Sequence, residues 1–173
     1  MKSSARRGLL LAVLAAAGCT ASGPAEEAQR AVSRTIDCER LGATVNVDAA
    51  AGLEGRSAPV GPPLNVRLQE LRKVSAALAP GRKEKTEDRF AGQVPFRVDQ
   101  GGTYAVLVAS LAWADLGEAN PARLIEPLSF KWVDVCGKKF KSGLYALEQG
   151  KSYFVQLWDS PDRELALMIR RLP

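Results

Sequence analysis

From residue 41 onward, apolar side chains recur at every second position. Leu41, Ala43, Val45 and Val47 alternate with Gly42, Thr44 and Asn46. The same beat returns at Leu64, Val66 and Leu68, at Val94, Phe96 and Val98, and at Leu165, Leu167 and Ile169. A period of two puts one set of side chains on one face of a strand, so each run predicts a strand with a buried face. Turn-forming clusters separate the runs: APG at 79–81, DQGG at 99–102, EQGK at 148–151 and DSPD at 159–162. The stretches FRVDQGGTYAVLV and LYALEQGKSYFVQL therefore predict two hairpins. Long amphipathic helical patterns are absent. AEEAQRAVSR and NPARLIEP fit short helical segments, and LQELRKVSAAL has helical propensity beside its strand pattern. Short strands at this spacing predict one all-β domain over residues 37–173, an antiparallel β-sandwich of jelly-roll or Ig-like type.

The first forty residues follow another pattern. Lys2, Arg6 and Arg7 precede an apolar run from Gly8 to Ala17. That run is too short for a bilayer span, which needs about twenty residues, but it suits a signal peptide. It ends in Ala15-Ala16-Ala17-Gly18-Cys19, which resembles the bacterial lipoprotein signal. The resemblance implies that residues 1–18 are cleaved and that Cys19 is acylated. Ala16 stands where that family prefers leucine, and an ordinary secretory signal is the alternative. Thr20 rather than aspartate follows the cysteine, which in that family points to the outer membrane, on its periplasmic face. Residues 19–36 read as the lipidated cysteine and a flexible tether. An exported chain permits a disulfide, and with Cys19 lipidated the remaining cysteines are Cys38 and Cys136. Closing a loop of about 100 residues is worth roughly 4–5 kcal/mol in the chain-entropy model. Two buried free thiols are the alternative.

Charge and composition narrow the function. The formal charge of +5 falls to about +2 once the signal and its three basic residues are removed. No basic stripe of the kind that binds nucleic acid is present. Clusters at Arg82, Lys83 and Lys85, at Lys138, Lys139 and Lys141, and at Arg170 and Arg171 read as solvated turns; contact with anionic lipid or polysaccharide is the alternative. The chain has no histidine. That removes Ser–His–Asp and Cys–His nucleophiles and the usual imidazole ligands of zinc and copper. No G-x-S-x-G or S-x-x-K motif occurs, and the GKS at 150–152 is no phosphate loop, because Tyr145 stands where its first glycine would fall. The expectation is a protein with no catalytic residues, metal or cofactor.

From Phe90 onward the chain shows an apolar strand, GGTY, AWAD, a cysteine, and L-x-x-G-x-x-Y-x-x-Q-L. This resembles small exported bacterial proteins, some of which carry a dioxygenase name, and more loosely the pre-peptidase C-terminal type of β-sandwich. The oxygenase activity is not expected here, since its iron triad needs two histidines. The stretch EGRSAPVGPPLNVRLQEL resembles the sandwich lipoproteins of contractile secretion machines.

All three tryptophans precede an aspartate by one or two residues: AWAD, KWVD and LWD. Trp113 shares a strand face with Leu107, Ala109, Leu111 and Asp115, and Trp132 with Phe130, Asp134 and Cys136, so both are expected in the core. Trp158 falls opposite Tyr153, Val155 and Leu157. Phe154, Gln156, Trp158 and Asp159 are then the candidate ligand or partner surface; burial of that face by curling sheets or by the linker is the alternative. The functional expectation is a lipid-anchored, non-enzymatic binding module for a glycan or an envelope protein. An accessory or inhibitory subunit of a larger envelope complex, such as a secretion machine, stands second. A carboxylate-based hydrolase stands third.

Overall fold

The computed structural model describes residues 23–36, 44–80 and 88–173. One helix, α1 (Pro24–Thr35), precedes eleven strands: β1 (Val45–Asp48), β2 (Pro63–Arg67), β3 (Gln69–Glu70), β4 (Phe90–Arg97), β5 (Gly102–Ala109), β6 (Trp113–Ala119), β7 (Ala122–Leu124), β8 (Ser129–Val135), β9 (Lys138–Leu147), β10 (Ser152–Ser160) and β11 (Glu164–Arg171). They form a six-stranded sheet, β1-β2-β11-β5-β9-β8, and a five-stranded sheet, β3-β4-β10-β6-β7. Only β1 and β2 pair in parallel. The inner orders β2-β11-β5-β9 and β4-β10-β6-β7 are those of a jelly roll, in which successive strands pass from one sheet to the other. The fold is therefore the expected all-β sandwich.

The main core lies between the sheets. Leu64, Val66 and Leu68, Val94, Phe96 and Val98, and Leu165, Leu167 and Ile169 are all buried there, as the alternation predicts. Leu41 and Ala43 of the first run lie outside the described residues.

The two predicted hairpins do not form. β4 and β5 belong to different sheets, and so do β9 and β10. DQGG and EQGK are corners where the chain changes sheet, and they lie side by side: Val98 N–H donates to Lys151 O at 3.1 Å and Gly150 N–H to Val98 O at 2.7 Å. A corner and a hairpin use the same turn residues, so local sequence does not separate them. Tight hairpins form elsewhere: β6 turns into β7 through Asn120 and Pro121, and β8 into β9 through Cys136 and Gly137, with φ of 52° and 73° at the latter pair. Positive φ at both positions is the two-residue turn whose twist suits paired strands.

Two further expectations change. The predicted tether from 19 to 36 contains α1, which packs on the outer face of the six-stranded sheet against β8 and β9. Pro24 opens the helix, Glu26 and Glu27 occupy its first turn and Arg34 its last, an arrangement that favours the helix termini. Val32 and Ile36 then bury against Leu107, Phe140, Leu144 and Met168. The segment 120–127 forms no helical turn but supplies β7, whereas LQELRKVSAAL resolves into β3, one 3-10 turn at Leu71–Lys73 and an irregular run to Pro80.

Candidate functional site

The sequence-predicted surface is buried. Phe154, Gln156 and Asp159 are 0% exposed and Trp158 only 5%. Parity along β10 is as expected, with these residues facing away from Tyr153, Val155 and Leu157. The irregular run after Leu71, however, lies across them. Gln156 Oε1 accepts the N–H groups of Ala77 and Leu78, and its Nε2 donates to Leu78 O, all within 3.0 Å. Gln93 Nε2 donates to Ser75 O at 2.7 Å. Trp158 packs under that cover with Leu71 and Ala91. The Phe154 ring lies over Gly117, where any Cβ would stand 2.4 Å from the ring. Asp159 sits at a bulge with φ of 51° and faces Arg89 at 3.6 Å. Gln156 thus holds the covering loop in place, and all four residues are buried rather than offered to solvent.

The expected core tryptophans are at the surface instead. Among the described residues, six of the seven exposed large hydrophobics lie between 111 and 132: Leu111, Trp113, Leu124, Leu128, Phe130 and Trp132. Two features of the fold expose them. β7 pairs with β6 only from Gly117 to Ala119, which leaves Trp113 to Asp115 on an open strand edge. β8 is the outermost strand of the other sheet, and its sandwich-side residues Phe130 and Trp132 reach past the facing sheet. Cys136 is exposed at the hairpin tip, so it does not draw Trp132 inward.

Between these two edges runs a groove of about 540 Å³, lined by Trp113, Asp115, Leu124, Glu126, Phe130 and Tyr145, with Leu78, Ala79 and Lys141 among its other walls. That volume lies within the range of small-ligand sites. The segment 125–128 bridges the gap: Ile125 N–H donates to Leu116 O on β6 at 2.8 Å, and Leu128 N–H to Leu144 O on β9 at 2.7 Å. Glu126 is thereby carried into the groove wall. The Tyr145 ring lies back over Gly143, where a Cβ would come within 2.6 Å of it, and Gly143 pairs with Phe130. A larger residue at 143 would push Tyr145 into the groove.

The polar groups are few and placed. Trp113 Nε1–H donates to Asp115 Oδ2 at 2.8 Å, fixing the indole against its own strand. Burial pushes the Asp115 carboxyl above its ordinary range; the indole hydrogen bond pulls it down, and the charge on Glu126 pushes it up again. Tyr145 is pushed up to about 12, first by burial and then by the charges of Asp115 and Glu126. Lys141 Nζ donates to Ala112 O at 2.6 Å and stands 5.5 Å from the centre of the Trp132 ring, a cation–π distance. An open apolar cleft with a stacking aromatic, two carboxylates and one ammonium can hold a ring-shaped ligand by its face and its polar rim.

Cys136 is disulfide-bonded; Cys19 and Cys38 lie outside the described residues. No group of three or more His, Cys, Asp or Glu among the described residues is arranged to hold a metal ion. The groove was missed because its members come from distant strands, and because which face of a strand is covered depends on neighbours that periodicity does not name. The one local signal was the Trp113–Asp115 spacing. No protein-family model matches the chain, and no curated protein matches it.

Proposed function

We propose that this protein is a lipid-anchored binding module of the bacterial envelope that holds a glycan in the groove between β6 and β8. The observation that carries the reading is the clustering of exposed aromatics Trp113, Phe130 and Trp132 beside Asp115 and Glu126 at one edge of the sandwich. Sugar rings stack on aromatic faces through their C–H groups, while carboxylates accept hydrogen bonds from hydroxyls. The reading is non-enzymatic, so incubation with a bound oligosaccharide is expected to give no cleavage products.

The anchoring part rests on the signal pattern ending at Cys19, with acyl chains on that cysteine holding the module to the outer membrane. Stable anchoring takes more than one chain, each buried methylene adding about 0.8 kcal/mol. α1 begins at Pro24, five residues after Cys19, which would keep the domain close to the bilayer. Cys38 pairs with Cys136 in this proposal.

Titrating oligosaccharides from envelope and capsular material against tryptophan fluorescence tests the groove. Binding should weaken at least tenfold in Trp113→Ala and Phe130→Ala and stay unchanged in Arg67→Ala, at the end of β2 on the far side of the six-stranded sheet from β8. Equal binding by all variants would remove the groove from consideration. A second reading, an accessory subunit docking a protein partner, draws on Leu111 and Leu128, which are 68% and 55% exposed. Such a partner would be lost in Leu128→Glu while glycan binding stayed intact.

A further inference from the structure

We infer that the groove selects a glycan carrying protonated amines, because Asp115 and Glu126 face one aromatic-walled cavity and, among the described residues, neither is paired with a basic side chain; this rests on the glycan reading above. Several other carboxylates of the sandwich are ion-paired. Glu118 meets Arg123 at 2.6 Å and Lys151 at 3.1 Å, and Glu70 meets Arg72 at 2.7 Å and Lys73 at 3.2 Å. Asp48 meets Arg67 at 2.7 Å. In the groove, the polar partner of Asp115 is the neutral Trp113 indole. Two carboxylates in a partly desolvated cleft repel each other and lack counter-charge, and an entering cation relieves both costs.

Lys141 also lines the groove. Its ammonium is engaged by the Ala112 carbonyl and lies against Trp132. Among the described residues lining the cleft, two carboxylates stand against one ammonium, a net negative balance. The aromatic walls work in the same direction, because the negative faces of the Trp113 and Phe130 rings attract a cation more strongly than a neutral hydroxyl. A protonated amino sugar satisfies all three features: a flat apolar C–H face for the rings, hydroxyls for the rim, and an ammonium for the carboxylates. A fully acetylated sugar offers only the first two.

The test compares three β-1,4-linked tetrasaccharides by titration calorimetry: the fully deacetylated glucosamine tetramer, its fully N-acetylated form and the glucose tetramer. The pH is set where the sugar amines are protonated, in low salt. The amine-bearing tetramer should bind about tenfold tighter than either neutral sugar, a difference of about 1.4 kcal/mol. That preference should shrink as salt is raised and should vanish in Asp115→Asn and in Glu126→Gln. Glu126 is exposed, so its variant tests the charge with little effect on folding. Equal binding of the three sugars overturns the amine inference and leaves the glycan reading standing. Binding of none overturns both. A preference that survives both substitutions overturns the inference by placing the cation elsewhere.

Discussion

Trp158 and Trp132 have similar local sequences and opposite surroundings. Trp158 is 5% exposed beneath the run from Leu71 to Leu78, whereas Trp132 is 52% exposed on an edge strand. Trp158→Ala should therefore cost about 3–5 kcal/mol, the range for a large aromatic truncated in a core. Trp132→Ala should stay within about 1 kcal/mol, since it loses surface packing and the contact with Lys141. Urea unfolding of the two variants checks the contrast, and comparable losses would contradict the assigned burial. Parity alone had put these residues on the correct faces. Exposure was misread because the cover over Trp158 has no periodicity and is held by Gln93 and Gln156, polar residues that a hydrophobic pattern counts as solvent-facing. Asp115 carries a prediction of its own. Its carboxyl is raised in the folded protein, so folding favours the protonated form, and that contribution is lost as pH rises through the folded value. Asp115→Asn should be more stable than the parent near neutral pH, and the difference should close in acid, below the ordinary aspartate range. Denaturation midpoints measured across that window give the sign directly.

At the scale of elements, strand existence was legible and strand partnership was not. β2, β4 and β11 each show a clean alternation, and each buries the predicted set. Whether DQGG joins neighbours in one sheet or turns a corner between two depends on where β10 and β11 later insert, information that is hundreds of atoms away along the chain. α1 is legible as a short helical segment but not as part of the core, because its apolar positions are few; Val32 and Ile36 matter only once the outer face of β5 and β9 is there to receive them. The helix interface is also imperfect, because Gln29 and the Ser142 hydroxyl are buried without hydrogen-bond partners. Val32→Asp should release the helix, as a lone buried charge costs several kcal/mol. The expected readout is faster amide exchange in 26–36 with β4 and β10 still protected; loss of protection in every strand would show that α1 belongs to the same cooperative unit. Gly117→Val belongs to this scale too. It would drive a side chain into the Phe154 ring and should cost about 1–3 kcal/mol by overpacking, read as a lowered melting temperature.

For the whole molecule, the two sheets of the jelly roll keep open edges at both sides, and the groove forms on the side where β8 is outermost and β6 runs past the short β7. Composition and spacing could announce the sandwich; they could not announce where the groove forms, because that follows from β7 being only three residues long. The same edge region carries the hairpin tip with Cys136, and α1 packs on the two strands of that hairpin. The helix gives way at Ile36, two residues before Cys38. A Cys38–Cys136 bond would thus tie the end of the helix to the hairpin it covers and close a loop of about 100 residues, worth roughly 4–5 kcal/mol against the unfolded chain. Cys136→Ser and Cys38→Ser should each lower stability by about 2–5 kcal/mol, and the double variant by little more, because the two residues act as one unit. The helix should loosen first, since the bond lies at its exit, while the core between the sheets keeps its packing. Thiol labelling of the unreduced, denatured protein checks the pairing itself: with Cys19 acylated and the bridge formed, no thiol reacts, and two reactive thiols would rule the bridge out.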